Sequence, residues 1–420
     1  MHPPKSVIIC GGGIVGLCCA YYLAREGIAV TLLEREAEDH DHCALGSAGY
    51  ISRSHIIPLS APGMVWQGLK WMMNSRSPFY IKPRLDGDLL RWSWLFWRAC
   101  HQRHLHRAAP ILRDLCFGGG RLFEELDDLT GNTFGLQKQG LLHLCKTQKS
   151  LDHEAHEHAR IAIELGVEAH VLDARQTAAL EPGTRLDIAG SIYFPADAHL
   201  TPGHFARALT ELLKKMGVCL QWNTSVVGWR AASGRIVAVQ TTAGYQSADE
   251  FVLAGGSWSP AMLTGLSLQL PMQAGKGYSL TLPNPRCKLA KSIMLTERRI
   301  AVTPMGAALR FGGTMELSGI NHEVRAERVQ QIIESVPHYF PEFGAQDFAG
   351  IKPWHGLRPV SPDGLPYIGR FGRYGNLAAA CGHAMLGLTM APITGLLIAE
   401  ILGGRKPSVA LEMLDPDRYA

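Results

Sequence analysis

The segment SVIICGGGIVGLCCAYYLAREGIAVTLLE, Ser6–Glu34, sets the architecture of the N-terminal part of the chain. A short β-branched run, Ser6–Cys10, is followed by three glycines and then by an apolar helical pattern, Ile14–Glu26. Gly27 ends that pattern, and a second apolar run, Ala29–Leu33, follows. The sequence therefore predicts a strand, a helix and a second strand that form one βαβ unit.

The turn between the first strand and the helix contains the GxGxxG pattern Gly11–Gly16. Gly11 allows a tight turn, Gly13 lets the backbone approach a pyrophosphate, and Gly16 lets the helix pack closely on the sheet. Free N–H groups at the start of the helix bind phosphate oxygens, and Glu34 stands where a carboxylate accepts hydrogen bonds from a ribose diol. The residues predicted to form this dinucleotide site are Gly11, Gly13, Ile14, Val15, Gly16, Glu34 and Arg35.

Several loops of small residues distinguish FAD from NAD, which the first motif alone does not. They lie far apart in the sequence, at Ala44–Gly49, Thr224–Val226, Val252–Ser259 and Gly382–Thr389. Because an extended FAD needs backbone contacts along its whole length, such loops in this order favour FAD. The residues expected to contact it are Ser47, Ala48, Gly49, Val226, Ala254, Gly255, Trp258, Gly382, His383, Gly387, Leu388 and Thr389.

The composition excludes several classes of protein. The 420 residues are 46% hydrophobic and 19% charged with a net charge of +4, and no long basic run indicates a nucleic-acid binder. The ten cysteines show no CxxC spacing, which favours reduced thiols in a cytoplasmic protein. Histidine clusters such as His153, His156 and His158 lie in polar stretches, so we expect solvated faces and no metal site.

Two apolar segments resemble membrane or signal sequences. Val7–Ala24 contains the glycines of the first motif and fits a strand, a turn and a helix better than a signal peptide. Leu377–Leu402 has the length of a spanning helix but includes His383, Pro392 and Glu400, which favours a buried loop and helix. We therefore expect no transmembrane span.

Further segments resemble a known family. They are Ala48–Ser52, Gly275–Ser279, Arg310–Glu316, Trp354–Pro359, Pro362–Gly369 and Gly382–His383. Through them the chain resembles the D-amino acid oxidase superfamily of FAD-dependent amine oxidoreductases. Within that superfamily it is most similar to the small subunit of the bacterial D-amino acid dehydrogenases. The resemblance spans nearly the whole chain, and its Leu-Arg-Pro and Pro-Asp-Gly-x-Pro motifs are quite specific.

The resemblance and the βαβ pattern together imply an α/β fold. We expect a Rossmann-like FAD-binding domain of the glutathione reductase type with an inserted α+β substrate domain, as in D-amino acid oxidases. The FAD-binding domain is expected to combine residues 1–75, 146–265 and 350–420. The substrate-binding domain is expected to combine residues 76–145 and 266–349.

The chain also departs from the family at several positions. Ser47 and Tyr50 stand where the dehydrogenases often have Asn and Gln, and Arg53–His55 is unusual for the branch. These residues are expected near the flavin and the substrate, so the resemblance does not fix the substrate. The sarcosine oxidase branch links FAD to a cysteine soon after its Arg-Pro region. Pro359–Pro362 contains no cysteine, so we expect non-covalent FAD.

The resemblance implies that Arg358 binds the substrate carboxylate, because a planar guanidinium can donate two parallel hydrogen bonds to it. A structural salt bridge is the alternative interpretation. His55, Tyr278 and Met385 are also expected in the substrate pocket, whereas a loop histidine and a core tyrosine are the alternatives for the first two. The implied chemistry is hydride transfer from the α carbon to flavin N5, with no catalytic residue beyond the flavin. His383 is expected to order the loop over the flavin.

Several functions remain open at this level. The leading hypothesis is a D-amino acid dehydrogenase that passes electrons to a quinone or another acceptor, with D-proline or hydroxy-D-proline as candidate substrates. A second hypothesis is an oxidase of glycine, sarcosine or a related amine that uses oxygen directly. A third is a flavin-binding partner protein without turnover, and a fourth is an NAD-dependent dehydrogenase.

A stretch rich in tryptophan and basic residues, Trp92–Arg107, has the composition of a membrane-interface segment. A packed helix of the substrate domain is the alternative interpretation. Because the family's dehydrogenases pass electrons to a membrane quinone, we hypothesise peripheral attachment through this stretch. The expected location is the cytoplasm, with contact at the cytoplasmic face of the inner membrane.

Overall fold

A computed structural model describes residues 4–72 and 77–420. The strands are β1 Ser6–Cys10, β2 Ala29–Leu33, β3 Tyr50–Ile51, β4 Phe79–Ile81, β5 Leu141–Cys145, β6 His170–Asp173, β7 Gly190–Phe194, β8 Ala198–His199, β9 Cys219–Gln221, β10 Val226–Ala232, β11 Arg235–Thr241, β12 Gly244–Gln246, β13 Glu250–Leu253, β14 Gln273–Leu282, β15 Ser292–Leu295, β16 Ile300–Met305, β17 Ala308–Leu317, β18 Trp354–Val360, β19 Tyr367–Arg370 and β20 Leu377–Cys381. The α-helices are α1 Ile14–Arg25, α2 Met64–Met72, α3 Gly87–Ala99, α4 Gln102–Thr130, α5 Gln148–Glu154, α6 Arg160–Glu164, α7 Ala174–Leu180, α8 Pro202–Lys215, α9 Ser259–Met262, α10 Ala326–Ser335 and α11 Gly387–Leu402.

The predicted βαβ unit is confirmed as the centre of a six-stranded sheet. Its strand order is β19–β20–β13–β1–β2–β9, and each pair except β19–β20 is parallel. The β-branched run of β1 is buried because strands pair with it on both sides and helices cover the sheet. Parallel pairing brings the carboxyl ends of β1, β2 and β13 to one edge of the sheet, where ligands bind in such folds.

A second, nine-stranded sheet has the order β18–β14–β17–β16–β15–β5–β7–β6, with β4 paired to β17. Most of its pairs are antiparallel, including β14–β18, which places Arg358 opposite Gly275. Three of its strands, β6, β7 and β18, fall within the residue ranges predicted for the FAD-binding domain. The domain boundaries themselves remain a prediction.

One helix in the described part of the chain, Ala384–Leu402, is long and apolar enough to cross a membrane, and 67% of it is buried inside the protein. The sequence pattern predicts the final helix over Pro392–Leu402, whereas in the structure α11 begins at Gly387, five residues earlier. It packs against α1 and α4. A β-carbon at Gly395 would lie 2.5 Å from the carbonyl oxygen of Cys18, so glycine permits this close approach. Its apolar composition therefore matches its place in the core.

Candidate active site

A cavity of about 680 Å³ extends from the carboxyl ends of β1, β2 and β13 to β18. This volume is in the usual range for sites that bind small molecules. Most of the residues predicted for the cofactor and the substrate come together around it. Those that line it are Gly11, Gly13, Ile14, Val15, Glu34, Arg35, Ser47, Ala48, Val226, Ala254, Gly255, Trp258, Tyr278, Arg358, His383, Met385, Gly387 and Leu388.

The N-terminus of α1 forms one end of the cavity. Gly13 precedes the helix and provides no side-chain cap, so the first N–H groups lack that partner. A β-carbon at Gly13 would have no atom within 4 Å, whereas one at Gly16 would lie 1.9 Å from the carbonyl oxygen of Gly11. Gly16 thus lets the helix pack on the turn without lining the cavity, and Gly13 leaves open space where phosphate oxygens can approach the backbone.

Glu34 lies at the end of β2, beside this turn, and is 9% exposed. Its Oε2 accepts a hydrogen bond from Gly12 N at 2.7 Å, and its Oε1 accepts one from Glu36 N at 3.1 Å. The carboxylate therefore holds the glycine loop in place while it borders the cavity. Next to it, the Arg35 guanidinium lies 4.0 Å from the centroid of the Trp258 ring, a cation–π contact between two predicted cofactor residues.

Arg310 fixes a loop of the cavity wall, a role that the sequence did not reveal. Its Nη1 donates to the carbonyl oxygens of Leu45 and Ser47 at 2.6 and 2.8 Å, and its Nε donates to Thr281 Oγ1 at 3.0 Å. Burial lowers the pKa of Arg310 to about 10, with Asp41 acting in the opposite direction, so the side chain stays charged at neutral pH. The only available signal was its place in a segment that resembles the family.

Arg358 projects from β18 to the cavity, and its Nη1 donates to the carbonyl oxygen of Thr314 at 3.0 Å. Burial lowers the pKa of its guanidinium, with Cys43 acting in the opposite direction. Among the described residues no carboxylate lies within 4.0 Å of it. Arg418 shows the contrast, because its guanidinium donates to both carboxylate oxygens of Asp363, at 2.8 and 3.0 Å. The geometry thus leaves Arg358 able to bind an anion, and the salt-bridge alternative is not supported.

Trp354 and two histidines form a wall that sequence reasoning missed. A β-carbon at Gly46 would lie 2.0 Å from the Trp354 ring, so the indole packs directly on this glycine. Its buried Nε1 has no hydrogen-bond partner among the described residues. His322 Nδ1 lies 3.2 Å from His355 Nε2, and burial lowers the pKa of His355, with the charge of His322 acting in the same direction. Trp354 and His355 were in a family-like segment, whereas nothing marked His322.

Two residues predicted for the substrate pocket, Tyr278 and His55, do not have the surroundings that the sequence predicted. Tyr278 borders the cavity but is 1% exposed, and its hydroxyl donates to Glu316 Oε2 at 3.1 Å, as for a core tyrosine. His55 does not line the cavity. Burial lowers its pKa to about 4, and the charges of His143 and His158 add to that effect, which places it beside a different group of side chains. The prediction that His55 lies in the substrate pocket is therefore corrected.

Three residues predicted to contact the cofactor shape the loops without lining the cavity. Thr389 Oγ1 donates to the carbonyl oxygen of Tyr50 at 3.0 Å and accepts from Ser52 N at 3.2 Å, which ties α11 to β3. Gly49 accepts from Leu200 N at 2.9 Å. Gly382 has a φ of +83° and packs against a tyrosine ring, so it supplies a turn that glycine favours.

His383 is 4% exposed, and its Nε2 lies 2.9 Å from Thr394 Oγ1. Burial lowers its pKa to about 3, so the imidazole is neutral. Because Thr394 belongs to α11, this contact holds the Gly382–His383 turn against the helix. The arrangement agrees with the expectation that His383 orders a loop at the cavity.

The cavity residues fit an extended dinucleotide with a carboxylate substrate beside it. The open space at Gly13 and the N-terminus of α1 suit a diphosphate. At the other end, Trp354 Nε1, which has no acceptor among the described residues, and the guanidinium of Arg358 can donate hydrogen bonds to polar groups of a ligand.

The chain belongs to the family of FAD-dependent oxidoreductases that includes D-amino acid oxidases, because the model of this family (DAO, FAD dependent oxidoreductase) matches residues 6–401. It is 35% identical over 424 residues to a D-amino acid dehydrogenase of Methylobacterium radiotolerans, which covers 99% of both chains. A D-amino acid dehydrogenase of Granulibacter bethesdensis is 34% identical over 99% of both chains.

Solved structures with the same fold include glycine oxidase from Geobacillus kaustophilus, with a TM-score of 0.79 at 21% identity over 100% of both chains. L-Proline dehydrogenase from P. horikoshii gives a TM-score of 0.78 at 18% identity, covering 100% of this chain and 98% of the other. These comparisons confirm the predicted α/β FAD-binding fold and the dependence on FAD.

Proposed function

We propose that this chain is a D-amino acid dehydrogenase that oxidises the α carbon and amine of its substrate to an imine and passes the electrons to a quinone-type acceptor. The relatives named D-amino acid dehydrogenase match it over 99% of its length. The observation that carries the proposal is Arg358, a charged side chain at the cavity that no carboxylate of the described residues neutralises. A guanidinium in this state suits the carboxylate of an amino acid.

Arg358 fixes the substrate by its carboxylate, which leaves the α carbon and the amine directed into the cavity. A bound FAD supplies the two-electron acceptor for the oxidation. The imine is then hydrolysed by water to the oxo acid and ammonia. Trp354 and Met385 contribute to the apolar walls of the cavity that Arg358 borders.

A cyclic imino acid such as D-proline or hydroxy-D-proline is part of the proposal. Its oxidation gives a cyclic imine that retains the nitrogen, so no ammonia is released, and its carboxylate offers Arg358 the same two acceptors. Tyr278 is not proposed to bond a substrate hydroxyl, because its own hydroxyl donates to Glu316. The proposal therefore assigns carboxylate binding to Arg358 and leaves ring selectivity to the apolar walls.

The test is anaerobic bleaching of the FAD-loaded enzyme with D- and L-amino acids and with cyclic imino acids. We expect D substrates to bleach the flavin, and a quinone analogue to restore its colour much faster than air. Fast reoxidation by air alone would indicate the oxygen-using oxidase. Flavin that no amine bleaches would indicate a partner protein without turnover. Arg358→Lys, which keeps the charge but loses the planar donor pair, is expected to retain FAD and lose substrate affinity.

We also propose that FAD is bound non-covalently. Two cysteines, Cys43 and Cys381, line the cavity. Burial raises the pKa of Cys43 to about 11 and the pKa of Cys381 to about 12, so both are thiols at neutral pH. Because the thiolate is the nucleophile, neither side chain has the ionisation state that attack on a flavin requires.

The proposed location is the cytoplasm, with peripheral contact at the inner membrane through part of Trp92–Arg107. Trp92 itself is 3% exposed and donates from Nε1 to the carbonyl oxygen of Val360 at 2.9 Å, so it belongs to the packed face of α3. Trp94 and Trp97 are 51% and 62% exposed, and the guanidinium of Arg98 lies 4.7 Å from the Trp94 ring. This exposed face combines aromatic and basic groups, as interfacial segments do.

A further inference from the structure

Outside the cavity, three side chains have the donor types of a metal site. His143 belongs to β5, whereas Glu154 ends α5 and His158 follows it by four residues. One ligand atom from each lies within 4.8 Å of the other two. We propose that His143, Glu154 and His158 bind a divalent transition-metal ion, and that Zn²⁺ is the ion this donor set favours.

The distances between the donor atoms fit a single ion. Glu154 Oε2 lies 3.1 Å from His158 Nδ1 and 3.6 Å from His143 Nδ1. Zinc bonds of about 2.0–2.1 Å at tetrahedral angles hold neighbouring donor atoms roughly 3.3 Å apart. Both Glu154 distances are therefore within a few tenths of an ångström of this spacing, and the ligand atoms of the two histidines lie within 4.8 Å of each other.

Glu154 provides an independent sign that a cation can bind at this point. It is 1% exposed, and its Oε2 accepts no hydrogen bond from any described residue. His143 Nδ1 is too far away at 3.6 Å, and His158 Nδ1, at 3.1 Å, makes no hydrogen bond with it. A buried carboxylate oxygen without a donor is costly, because it has lost its water and gained no hydrogen bond. A cation bound at this point would satisfy it.

The local backbone brings the ligands together in a way that the sequence spacing hides. A π-helical turn, Ala155–Ala159, separates α5 from α6 and contains His158. Such turns are uncommon and often occur at functional sites. The other two histidines of this stretch, His153 and His156, are exposed. The sequence prediction of solvated histidines holds for these two, whereas His158 meets a strand residue from outside the cluster.

Three protein ligands leave one position of a zinc tetrahedron for a water molecule or a further side chain. His55 is close enough for the charges of His143, His158 and Glu154 to act on it. Arg299 also lies near, since its charge acts on both Glu154 and His158. A cation in the site would be repelled by Arg299, so Arg299→Gln is expected to tighten zinc binding.

The test measures zinc bound to the FAD-loaded chain without an affinity tag. The protein is treated with a chelator, equilibrated with ZnCl₂, freed of excess ion and analysed for zinc by mass spectrometry. We expect about one zinc per chain in the wild type, the stoichiometry of a three-ligand site. His156→Ala, an exposed histidine of the same segment, is the matched control and should bind the same amount. His158→Ala and Glu154→Gln should lose more affinity than the roughly 10–100-fold that follows removal of an outer-shell partner.

The proposal is overturned if the wild type retains no more zinc than His158→Ala, or if Glu154→Gln binds as tightly as the wild type. Flavin absorbance and far-ultraviolet circular dichroism show whether each variant is folded. If the variants fail to fold, the wild type alone decides the question. Co²⁺ added to metal-free holoenzyme should then give the visible bands of a tetrahedral complex above the flavin absorbance, and their absence would count against the site.

Discussion

The guanidinium of Arg358 occupies the space that a side chain at Gly277 would fill. A β-carbon at position 277 would lie 2.1 Å from Arg358 Nη1 and 2.4 Å from its Cζ. Gly277 is opposite Gly356 in the β14–β18 pair, where a β-carbon at Gly356 would instead lie 2.1 Å from the Trp354 ring. The position of the proposed carboxylate-binding group therefore depends on the absence of a side chain on the neighbouring strand.

Gly277→Ala is expected to displace Arg358 without removing it. Loss of a charged hydrogen bond of about 1.5–3 kcal/mol corresponds to a roughly 10–100-fold fall in kcat/KM. Steady-state kinetics should show the fall mainly as a higher KM, with FAD content unchanged. Gly203→Ala is the control, because its new methyl group would have no atom closer than 3.9 Å. An unaltered KM in folded Gly277→Ala would contradict this role for Arg358.

His199→Gln is expected to change how stability depends on pH. His199 is 3% exposed, its Nδ1 lacks a hydrogen bond from the described residues, and burial lowers its pKa to about 4. It is neutral when folded but binds a proton when unfolded below about pH 6.5. The contribution of neutral His199 to the free energy of unfolding is therefore complete above about pH 6.5. It falls by about 1.4 kcal/mol per pH unit as the pH drops toward 4.

The measurement is the free energy of unfolding in urea at several pH values, with FAD present. In His199→Gln, the free energy of unfolding should depend less steeply on pH between about pH 6.5 and 4.5. The decrease in slope should correspond to the uptake of about one proton fewer on unfolding. Replacement of the exposed His156 by Gln should leave the slope unchanged. Equal slopes in the wild type and His199→Gln would show that His199 is not kept neutral by burial.

Acid precipitation of the purified enzyme is expected to release its yellow colour into the supernatant. The physical reason is that Cys43 and Cys381 are protonated thiols, and Pro359–Pro362 contains no cysteine. Absorbance of the two fractions gives the result directly. Colour that stays with the precipitate would mean a covalent link, and Cys43→Ser and Cys381→Ser would then identify the residue.

The double variant Trp94→Ser/Trp97→Ser is expected to lose binding to anionic vesicles. Both indoles are exposed on α3, next to basic side chains that attract anionic headgroups. Co-sedimentation of the wild type should weaken as salt rises, because exposed charges are screened. Val171→Ser, which removes an exposed apolar side chain from β6, is the control. A wild type that never sediments with anionic vesicles would remove the membrane proposal.

Much of the fold followed from local pattern. The βαβ unit was predictable because hydrophobic period, glycine positions and the acidic residue Glu34 all lie within one short segment. The helix after Gly382 was also predictable, although it begins at Gly387 and not at Pro392. Proline is favoured in the first turn of a helix, but Pro392 lies inside α11, so its position did not mark the true start.

The site residues that the sequence did not predict have contacts with residues far away in the sequence. Arg310 contacts a loop more than 250 positions away in the sequence, and His322 meets His355 across the cavity wall. Neither pairing has a local pattern, because each depends on where strands of the second sheet come to lie. The same cause explains His55, which follows a family-like segment but does not line the cavity and lies near enough to His143 on β5 for that charge to lower its pKa.

The sequence by itself determined the dinucleotide turn at Gly11–Gly16 and the loops that extend the site, because these depend on residue type and short-range geometry. Its resemblance to the family made Arg358 a candidate. Only the tertiary structure decided that Arg358 has no carboxylate partner among the described residues, whereas Arg418 has one. It also brought His158 to His143. Charge pairing and ligand geometry depend on distances between side chains remote in sequence, and folding alone sets those distances.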